Sequence, residues 1–272
     1  MTTLSQARKA IHEAEALLIT AGAGIGVDSG LPDFRGDDGL WKAYPPFADQ
    51  GFDFAEMANP KWFFENPLVA WGFYGHRLQL YRQTKPHHGF QLLLDAALQM
   101  KRGYYIMTSN VDGHFHQAGF APERIVEIHG SIHHLQCATP CSEKIWPASE
   151  LWIEVDPVSF QACSVLPSCP DCGSISRPNI LMFGDRAWVE NRSSKQERGL
   201  DRWLESIRDK RLVIVECGAG TEVPSIRYIS SQIARKPQRT LIRINPRDHE
   251  IAPGELAIPA GALEGLQQLF SA

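Results

Sequence analysis

The sequence predicts an α/β protein in which a parallel sheet carries helices on both faces and a smaller domain is inserted. Apolar runs short enough to be buried strands alternate with stretches of helical periodicity along most of the 272 residues. Five of the six cysteines crowd between positions 137 and 172, in a stretch without strong periodicity. Polar segments follow four strands, at 21–36, 108–112, 129–130 and 218–223. Because ligands of parallel sheets bind beyond the carboxyl ends of the strands, we expect these segments to form one site.

The chain opens with a predicted amphipathic helix over 5–16 and a buried strand over 17–20. The apolar run Leu17-Leu18-Ile19 is typical of a strand covered on both faces. After the first glycine cluster, the stretch 37–51 is rich in Pro, Gly and aromatic residues, so we expect it to be irregular.

A clear helix start follows at Asn66-Pro67. Asn is a good N-cap and Pro is favoured at the first helical position. Helical spacing then predicts one apolar face, formed by Leu68, Trp71, Tyr74, Leu78 and Tyr81. Pro86 ends this helix.

The rest of the chain predicts further alternation of helices and strands. Helices are expected at 88–100, 196–208, 224–234 and 262–270, with a short one ending at Ala118. Strands are expected at 104–107, 124–128, 179–183, 212–217 and 240–244. The stretch 137–172 is expected to be the inserted small domain.

Composition limits the class of partner. With 27 basic and 31 acidic residues the net charge is −4 and no block of like charge occurs, so nucleic-acid binding is not expected. No apolar run approaches the length of a membrane span, and the first residues lack the apolar core of a signal peptide. We expect a soluble cytoplasmic protein. The sequence leaves the oligomeric state open, with a monomer favoured.

The glycine cluster Gly22-Ala23-Gly24-Ile25-Gly26 directly follows the first strand. Glycines there let the backbone turn sharply and approach a pyrophosphate, which backbone N–H groups then bind. The dinucleotide fingerprint is incomplete, because the third glycine of G-x-G-x-x-G falls on Val27, and a plain glycine turn is the alternative. The polar segment Asp33-Phe34-Arg35-Gly36 favours a nucleotide, since such a loop can fold over it.

Two other strand ends carry candidate chemical groups. Asn110 and Asp112 are suited to hydrogen-bond the carboxamide and ribose of a nicotinamide nucleotide; alternatively, Asp112 only caps a helix start. His129 ends another strand, and imidazole titrates near neutrality, as a general base requires. A structural histidine is the alternative interpretation. We interpret the remaining nearby histidines as ordinary helix or loop residues: His114, His116, His133 and His134.

The cysteines form two close pairs that suit tetrahedral Zn²⁺. Cys169 and Cys172 have the usual knuckle spacing, and Cys137 and Cys141 are one residue further apart than the commonest form. A zinc ion would hold together a small domain that has little core. Cys163 is a rival ligand, and free cysteines without a metal are the alternative.

Together these motifs resemble the sirtuin family, the NAD-dependent protein deacylases. The family segment GAG-I-S…SG-I-P-D-F-R-G is similar to residues 21–36, T-Q-N-I-D to 108–112, E-x-H-G-S to 127–131 and R-P-x-V-V-x-F-G-E to 177–185. The resemblance spans about residues 15 to 250. Two departures stand out: Gly26 replaces a Ser, and Ser109 replaces the Gln that helps hold the nicotinamide-side ribose.

The resemblance implies a Rossmann-like domain that binds NAD. Asp33, Phe34 and Arg35 would order over the cofactor. The loop 218–221 stands where the family has G-T-S beside the adenosine half, and Asn245 matches a residue near the adenine ribose. The implied cofactor-binding residues are Ala21, Gly22, Ala23, Gly24, Asp33, Phe34, Arg35, Ser109, Asn110, Asp112, Gly218, Ala219, Gly220 and Asn245.

The resemblance also implies a catalytic set and a substrate groove. His129 would be the general base, with Asn110 and Asp112 beside the nicotinamide. Phe183 and Gly184 would contact an acyl-lysine peptide that pairs as an added strand. Tyr74 and Arg77 resemble the Tyr-x-x-Arg segment of sirtuins that remove succinyl and malonyl groups, where a hydroxyl and a guanidinium recognise a carboxylate. An aromatic packed inward and a solvated arginine are the alternative.

The implied reaction is NAD-dependent removal of acyl groups from protein lysines, which gives nicotinamide and O-acyl-ADP-ribose. The zinc would be structural, and acylated proteins would be the partners. ADP-ribosyl transfer or NAD hydrolysis is an alternative, because Gly26 and Ser109 alter the pattern; a non-catalytic NAD-sensing or peptide-binding module is another. The expected large domain comprises 1–45, 86–134 and 178–272, and the small domain 46–85 and 135–177.

Overall fold

The computed structural model describes residues 2–32 and 54–270. Within them we label the helices α1 (Thr3–Glu13), α2 (Phe54–Met57), α3 (Trp62–Glu65), α4 (Pro67–Gln83), α5 (His88–Leu98), α6 (His114–Gln117), α7 (Asn191–Ser206), α8 (Ser225–Ala234) and α9 (Ala262–Phe270). The strands are β1 (Ala16–Ala21), β2 (Tyr104–Thr108), β3 (Ile125–Glu127), β4 (Gly130–Cys137), β5 (Ile145–Pro147), β6 (Ser176–Ile180), β7 (Leu212–Cys217), β8 (Arg239–Ile244) and β9 (Leu256–Ile258). The stretch 37–51 that the sequence predicts to be irregular lies outside the described residues.

Within the described residues the main sheet has six parallel strands in the order β3-β2-β1-β7-β8-β9. The sequence predicts a parallel sheet, but not this order. Every residue of β1 and β7 is buried, because helices cover both faces. Alternate residues of β7 enter different cores: Val213 and Val215 join one cluster, and Ile214 joins the other. The short edge strand β9, which the sequence analysis missed, pairs with β8.

Helix α4 begins as predicted, since the Asn66 side chain accepts a hydrogen bond from the Val69 N–H and Pro67 follows. The prediction of a single apolar face is wrong. Leu68 is 41% exposed, whereas Phe73 on another side of the helix is fully buried. The reason is that α4 is surrounded: a Cβ at Gly75 would lie 2.6 Å from Ile153.

A second, antiparallel sheet has the order β5-β4-β6. The prediction of a strand over 179–183 in the parallel sheet is wrong. The strand is Ser176–Ile180 and it pairs with β4, with Gly130 opposite Ile180 and Cys137 opposite Ser176. The apolar pattern of a short strand does not indicate its partner or direction, and β4 itself was not predicted.

Other predicted elements occur within a few residues of their expected bounds. β7 and α9 have the predicted limits, whereas α7 begins at Asn191, five residues before the predicted start. Its first turn is held from outside the helix: the Ser193 hydroxyl donates to the Glu127 carbonyl oxygen at 2.8 Å, and Arg192 pairs with the Glu127 carboxylate.

In the part of the chain that the structure describes, buried apolar side chains form three clusters. Two cover the opposite faces of the main sheet. The third surrounds Trp71 and Phe73 of α4 and includes Ile132 and Ile153 from the region of the second sheet. None of the described helices combines the length and the hydrophobicity that crossing a membrane requires. The domain limits given above stay a prediction.

Candidate active site

A cavity of about 590 Å³ lies at the carboxyl ends of β1, β2 and β7, where they face α4 and the segment after β6. The four polar segments predicted to converge therefore do so, since each contributes to its lining. The predicted site residues that line the cavity are Gly22, Ala23, Tyr74, Arg77, Ser109, Asn110, Asp112, His129, Phe183, Ala219 and Gly220. Ala21, Gly24, Gly184, Gly218 and Asn245 do not line it. Asp33, Phe34 and Arg35 lie outside the described residues.

The two glycine loops touch each other through their backbones. A Cβ added to Gly22 would lie 2.8 Å from the Ala219 Cα, and one added to Gly24 would lie 2.7 Å from the Gly218 Cα. Gly218 has a φ of +61°, and its N–H donates to the Ile244 carbonyl oxygen. These glycines are thus required for the packing of one loop on the other, in addition to any approach of a ligand.

The rest of the first loop is a 3₁₀ helix, Ala23–Ser29. Val27, which stands where the fingerprint has its third glycine, is 45% exposed, so a side chain is accommodated there without a clash. Gly26 is buried, and a Cβ at this position would lie 3.3 Å from Leu31 Cδ1. A serine at position 26, as in the family pattern, would require Leu31 to shift by a few tenths of an ångström.

The segment after β2 is tied to the end of β1. The Thr108 hydroxyl and the Ser109 N–H both donate to the Ala21 carbonyl oxygen, at 3.0 and 3.1 Å. The Asn110 amide Nδ2 donates to the Gly22 carbonyl oxygen at 3.1 Å. This amide therefore holds the glycine loop and lines the cavity at the same time.

Asp112 both satisfies a backbone donor at the start of α6 and lines the cavity. Its Oδ1 accepts a hydrogen bond from the His114 N–H at 2.8 Å, which caps the start of α6. Burial raises the pKa of this carboxyl group, and the neighbouring His114 opposes the shift. His133, expected to be an ordinary residue, fixes the backbone here, since its Nε2 donates to the Asp112 carbonyl oxygen at 2.8 Å.

His129 lies between the two sheets. Its carbonyl oxygen accepts from the Leu181 N–H at 3.0 Å, which joins it to the segment after β6. Burial lowers the pKa of the imidazole below its usual 6.5, and a hydrogen bond with the Ser109 backbone partly opposes this. The ring is therefore neutral at pH 7 and able to accept a proton.

Glu127, the first residue of the E-x-H-G-S string, is buried and does not line the cavity. Its carboxylate pairs with Arg192 and lies 3.5 Å from His116 Nε2. Burial by itself would raise the pKa of Glu127, but these two partners outweigh it and lower the pKa to about 2. The charge of Glu127 thus fixes the start of α7 against β3.

Tyr74 and Arg77 lie at the base of the cavity, both at least 95% buried. The alternative of a solvated arginine is thereby excluded. Arg77 Nε and Nη2 donate to the Tyr81 hydroxyl oxygen at 3.1 and 2.7 Å. The Tyr74 hydroxyl has no hydrogen-bond partner among the described residues, and burial raises its pKa to about 12.

The segment after β6 forms one rim of the cavity. Phe183 is 42% exposed and its ring meets Phe54 edge-on, with the centroids 6.1 Å apart. Gly184 follows with a φ of +69°. This turn is held from below by a fully buried ion pair between Arg177 and Asp185, 2.7 Å apart. The charged residues at the two ends of the R-P-x-V-V-x-F-G-E string, Arg177 and Asp185, therefore stabilise the turn.

Asn245 supports the second glycine loop from beneath. Its Nδ2 donates to the Ala219 carbonyl oxygen at 2.9 Å, and its Oδ1 accepts from the Arg247 and Asp248 N–H groups at 3.0 and 2.9 Å. Asn245 is 1% exposed, so its amide contacts the loop instead of the cavity. The sequence indicated its place in the site but not this supporting role.

Cys137, Cys141, Cys169 and Cys172 gather at one point, with their sulfurs all within 4.8 Å of one another. The Cys137–Cys172 and Cys141–Cys169 sulfur pairs are 3.7 and 3.6 Å apart. A tetrahedron with Zn–S bonds of about 2.3 Å has S–S edges of about 3.8 Å, so this set fits zinc. Cys163, the rival ligand, is not part of the cluster.

Sequence reasoning missed one polar group of the cavity floor and part of the rim. Tyr81 lines the cavity beside Arg77, although its spacing on α4 indicated only a place in the core. Glu222 and Val223 contribute to the opposite rim. The i, i+4 spacing of Arg77 and Tyr81 is a signal that would have indicated contact between them.

Two glycine loops and an Asn-Asp-His set around one cavity, at the carboxyl edge of a parallel sheet, define a nucleotide-binding α/β protein with a separate four-cysteine metal site. Residues 22–201 match the Sir2 family, which is more than half of the chain. The chain belongs to this family.

Named relatives and solved structures agree with this assignment. A protein of Thermus thermophilus named NAD-dependent protein deacylase is 30% identical over 99% of this chain and 95% of its own length. One of Aquifex aeolicus with the same name is 27% identical, with 93% of each chain covered. A crystal structure of a Sir2 homologue in complex with NAD superposes with a TM-score of 0.70 at 25% identity, over 98% of this chain and 92% of that one.

Proposed function

We propose that this protein is an NAD-dependent lysine deacylase whose preferred acyl groups end in a carboxylate. The observation that carries the first part is the cavity, which brings Asn110, Asp112 and His129 together with both glycine loops in a chain of the Sir2 family. The observation that carries the second part is a buried Tyr74–Arg77 pair on the floor of the same cavity.

The nucleotide would lie across the carboxyl edge of the sheet. The polar groups that the cavity presents there support this placement: backbone around Gly22 and Gly220, and the Ser109 and Asn110 side chains. Bound NAD supplies a ribose carbon from which nicotinamide can depart. Asn110 and Asp112 would orient the nicotinamide end. Asp33, Phe34 and Arg35 would exclude water above it, as the family resemblance implies.

His129 would act as the general base. Its side chain reaches the cavity, and burial keeps the imidazole neutral at pH 7, so Nδ1 or Nε2 can take a proton from a ribose hydroxyl. The neighbouring Leu181 and Phe183 lie on the rim where an acyl-lysine peptide would enter. An extended peptide would pair with the segment after β6, which fixes the lysine over His129.

The acyl preference follows from the charge at the cavity floor. Arg77 is 5% exposed. Because a guanidinium carries a positive charge, an acyl group that ends in a carboxylate would gain a charge-assisted hydrogen bond that an acetyl group lacks. The Tyr74 hydroxyl is buried and unpartnered among the described residues. A carboxylate oxygen that accepts from it would remove the cost of that unsatisfied donor.

The four-cysteine site would hold zinc with no part in the reaction. The bonds between its thiolates and zinc would stabilise the module that contains β4, β5 and β6, which has little apolar core. We also propose a division into two domains. The nucleotide-binding domain would comprise 1–45, 86–134 and 178–272, and the smaller domain would comprise 46–85 and 135–177.

The decisive test of the activity is a product assay. The protein is incubated with NAD and a panel of acyl-lysine peptides of one sequence, and the products are identified by mass spectrometry. O-acyl-ADP-ribose, nicotinamide and free lysine are expected. ADP-ribosylated protein or free ADP-ribose alone would contradict deacylation and favour the alternative in which Ser109 leaves the ribose less firmly held. NAD binding without turnover would indicate a binding module.

The acyl preference is tested with succinyl- and acetyl-lysine peptides on the wild type and on Arg77→Met. Loss of one charge-assisted hydrogen bond, about 1.5–3 kcal/mol, predicts a fall of about 10- to 150-fold in kcat/KM for the succinyl peptide and little change for the acetyl peptide. Arg124→Met is the matched control, since Arg124 lies over the ring of Tyr105 and does not line the cavity. Equal losses on both peptides would refute the role of Arg77.

A further inference from the structure

Tyr81 is a cavity residue that neither the reaction nor the acyl preference has so far used. It lies in the last turn of α4, 4% exposed, four residues after Arg77 and therefore on the same face of the helix. Its own backbone is held, because the Gln117 side chain donates to the Tyr81 carbonyl oxygen at 3.0 Å. The Tyr81 hydroxyl is thus a fixed point beside the guanidinium.

The Tyr81 hydroxyl oxygen accepts two hydrogen bonds from one guanidinium. Arg77 Nε and Nη2 lie 3.1 and 2.7 Å from it. Two bonds to a single acceptor define the rotation of the planar group, which a single bond would not do. Aromatic rings add to this: Arg77 Cζ lies 5.2 Å from the centroid of Phe73 and 5.4 Å from that of Tyr81. A carboxylate that pairs with Arg77 therefore meets the group from the side away from Tyr81.

The bond from Tyr81 leaves the charge of Arg77 in place. Burial raises the pKa of the Tyr81 phenol and the positive charge of Arg77 only partly opposes this, so the phenol is neutral at pH 7. A neutral acceptor orients a guanidinium without cancelling its charge.

We propose that Tyr81 is a positioning residue that aims the Arg77 guanidinium at the terminal carboxylate of the acyl group and so sets the preference for acidic acyl groups. This inference rests on the acyl preference proposed above. It assigns the selectivity to three residues, Tyr74, Arg77 and Tyr81, instead of the pair that the sequence indicates.

Tyr81→Phe tests this, since it removes only the hydroxyl oxygen. KM and kcat are measured with succinyl- and acetyl-lysine peptides of one sequence, beside wild type and Arg77→Met. We expect KM for the succinyl peptide to rise about tenfold, and KM for the acetyl peptide and for NAD to change less than twofold. Tyr228→Phe is the matched control, because Tyr228 is 65% exposed and does not line the cavity; it should match the wild type on both peptides.

The possible results separate this inference from the proposed function. If Arg77→Met loses succinyl selectivity while Tyr81→Phe keeps it, the positioning role is overturned and the acyl preference stands. If Tyr81→Phe weakens both peptides equally, the hydroxyl is merely structural and the inference is overturned as well. If the wild type does not favour the succinyl peptide over the acetyl peptide, both proposals fail.

Discussion

Gly218→Ala is expected to separate the two glycine loops and so weaken nucleotide binding. Gly218 has a φ of +61°, and a Cβ there would lie 2.5 Å from the Gly24 Cα. Alanine in the left-handed region costs about 1 kcal/mol. An ordinary contact begins near 3.4 Å, so the loops must also move apart by about 1 Å. Overlap of this kind adds roughly 1–3 kcal/mol, which gives a total of about 2–4 kcal/mol.

Gly103→Ala is the matched control, because it isolates the backbone strain from the overlap. Gly103 has a φ of +74°, and a Cβ there would meet nothing within 4 Å. Both variants also lose the same glycine flexibility in the unfolded chain, so that effect cancels in their difference. We therefore expect Gly103→Ala to lose only about 1 kcal/mol and to bind NAD like the wild type.

The assays are the free energy of unfolding from urea titration and the NAD dissociation constant from calorimetry. Since the Gly22 carbonyl oxygen also accepts from Asn110 Nδ2, movement of this loop should also displace the Asn110 amide that lines the cavity. Loss of one or two hydrogen bonds from the displaced loop to the nucleotide, at about 1 kcal/mol each, predicts that the dissociation constant rises about 5- to 30-fold. If Gly218→Ala matches Gly103→Ala in stability and in NAD affinity, the contact between the loops is not what requires glycine.

Four further predictions concern single groups. His129→Ala should abolish turnover and change the NAD dissociation constant by no more than about threefold. Because burial lowers the pKa of His129, the kcat of the wild type should fall only below about pH 6.5. A fall in kcat that begins at a higher pH would contradict the role of His129 as the base. The pKa of Glu127 is lowered from 4.5 to about 2 in the folded protein. Its contribution to the free energy of unfolding is therefore complete above pH 4.5 and is lost as the pH falls towards 2. Measurements of the free energy of unfolding between pH 4.5 and pH 2 should show a steep loss. His114 is 1% exposed, and both of its ring nitrogens lack a hydrogen-bond partner among the described residues. Because an unsatisfied buried polar group is costly, His114→Leu should raise the free energy of unfolding by about 1–2 kcal/mol. A lower free energy of unfolding would contradict this. Cys169→Ala should remove bound zinc and lower the melting temperature, whereas Cys163→Ala should keep one zinc per chain by metal analysis.

The sequence determined the alternation of strands and helices and the edge at which the site lies. Strand β7 and helix α9 have the predicted limits, because each shows a local pattern between clear breaks. The convergence of the segments around Gly22, Asn110 and His129 followed from the rule that ligands of parallel sheets bind at carboxyl ends. The four cysteines were identifiable because the thiolate spacing of a zinc site is itself a local property.

The tertiary structure decided which groups each residue contacts. The pattern of α4 predicted one apolar face, but the helix is enclosed on several sides, and only the packed structure brings Phe73 into the core and Arg77 to the cavity floor. The antiparallel pairing of β6 with β4 likewise depends on residues 39 to 50 positions apart in the chain.

The same limit applies to the roles of site residues. Gly22 and Gly24 were identified as ligand-binding glycines, yet the structure adds that they permit contact with a loop almost 200 residues away. Asn245 is predicted to bind the cofactor, and the structure adds that its amide supports the Ala219 carbonyl oxygen. The residue pattern of one segment indicates the conformation and the burial of that segment. A contact depends on the positions of two segments, and chain folding alone brings them together.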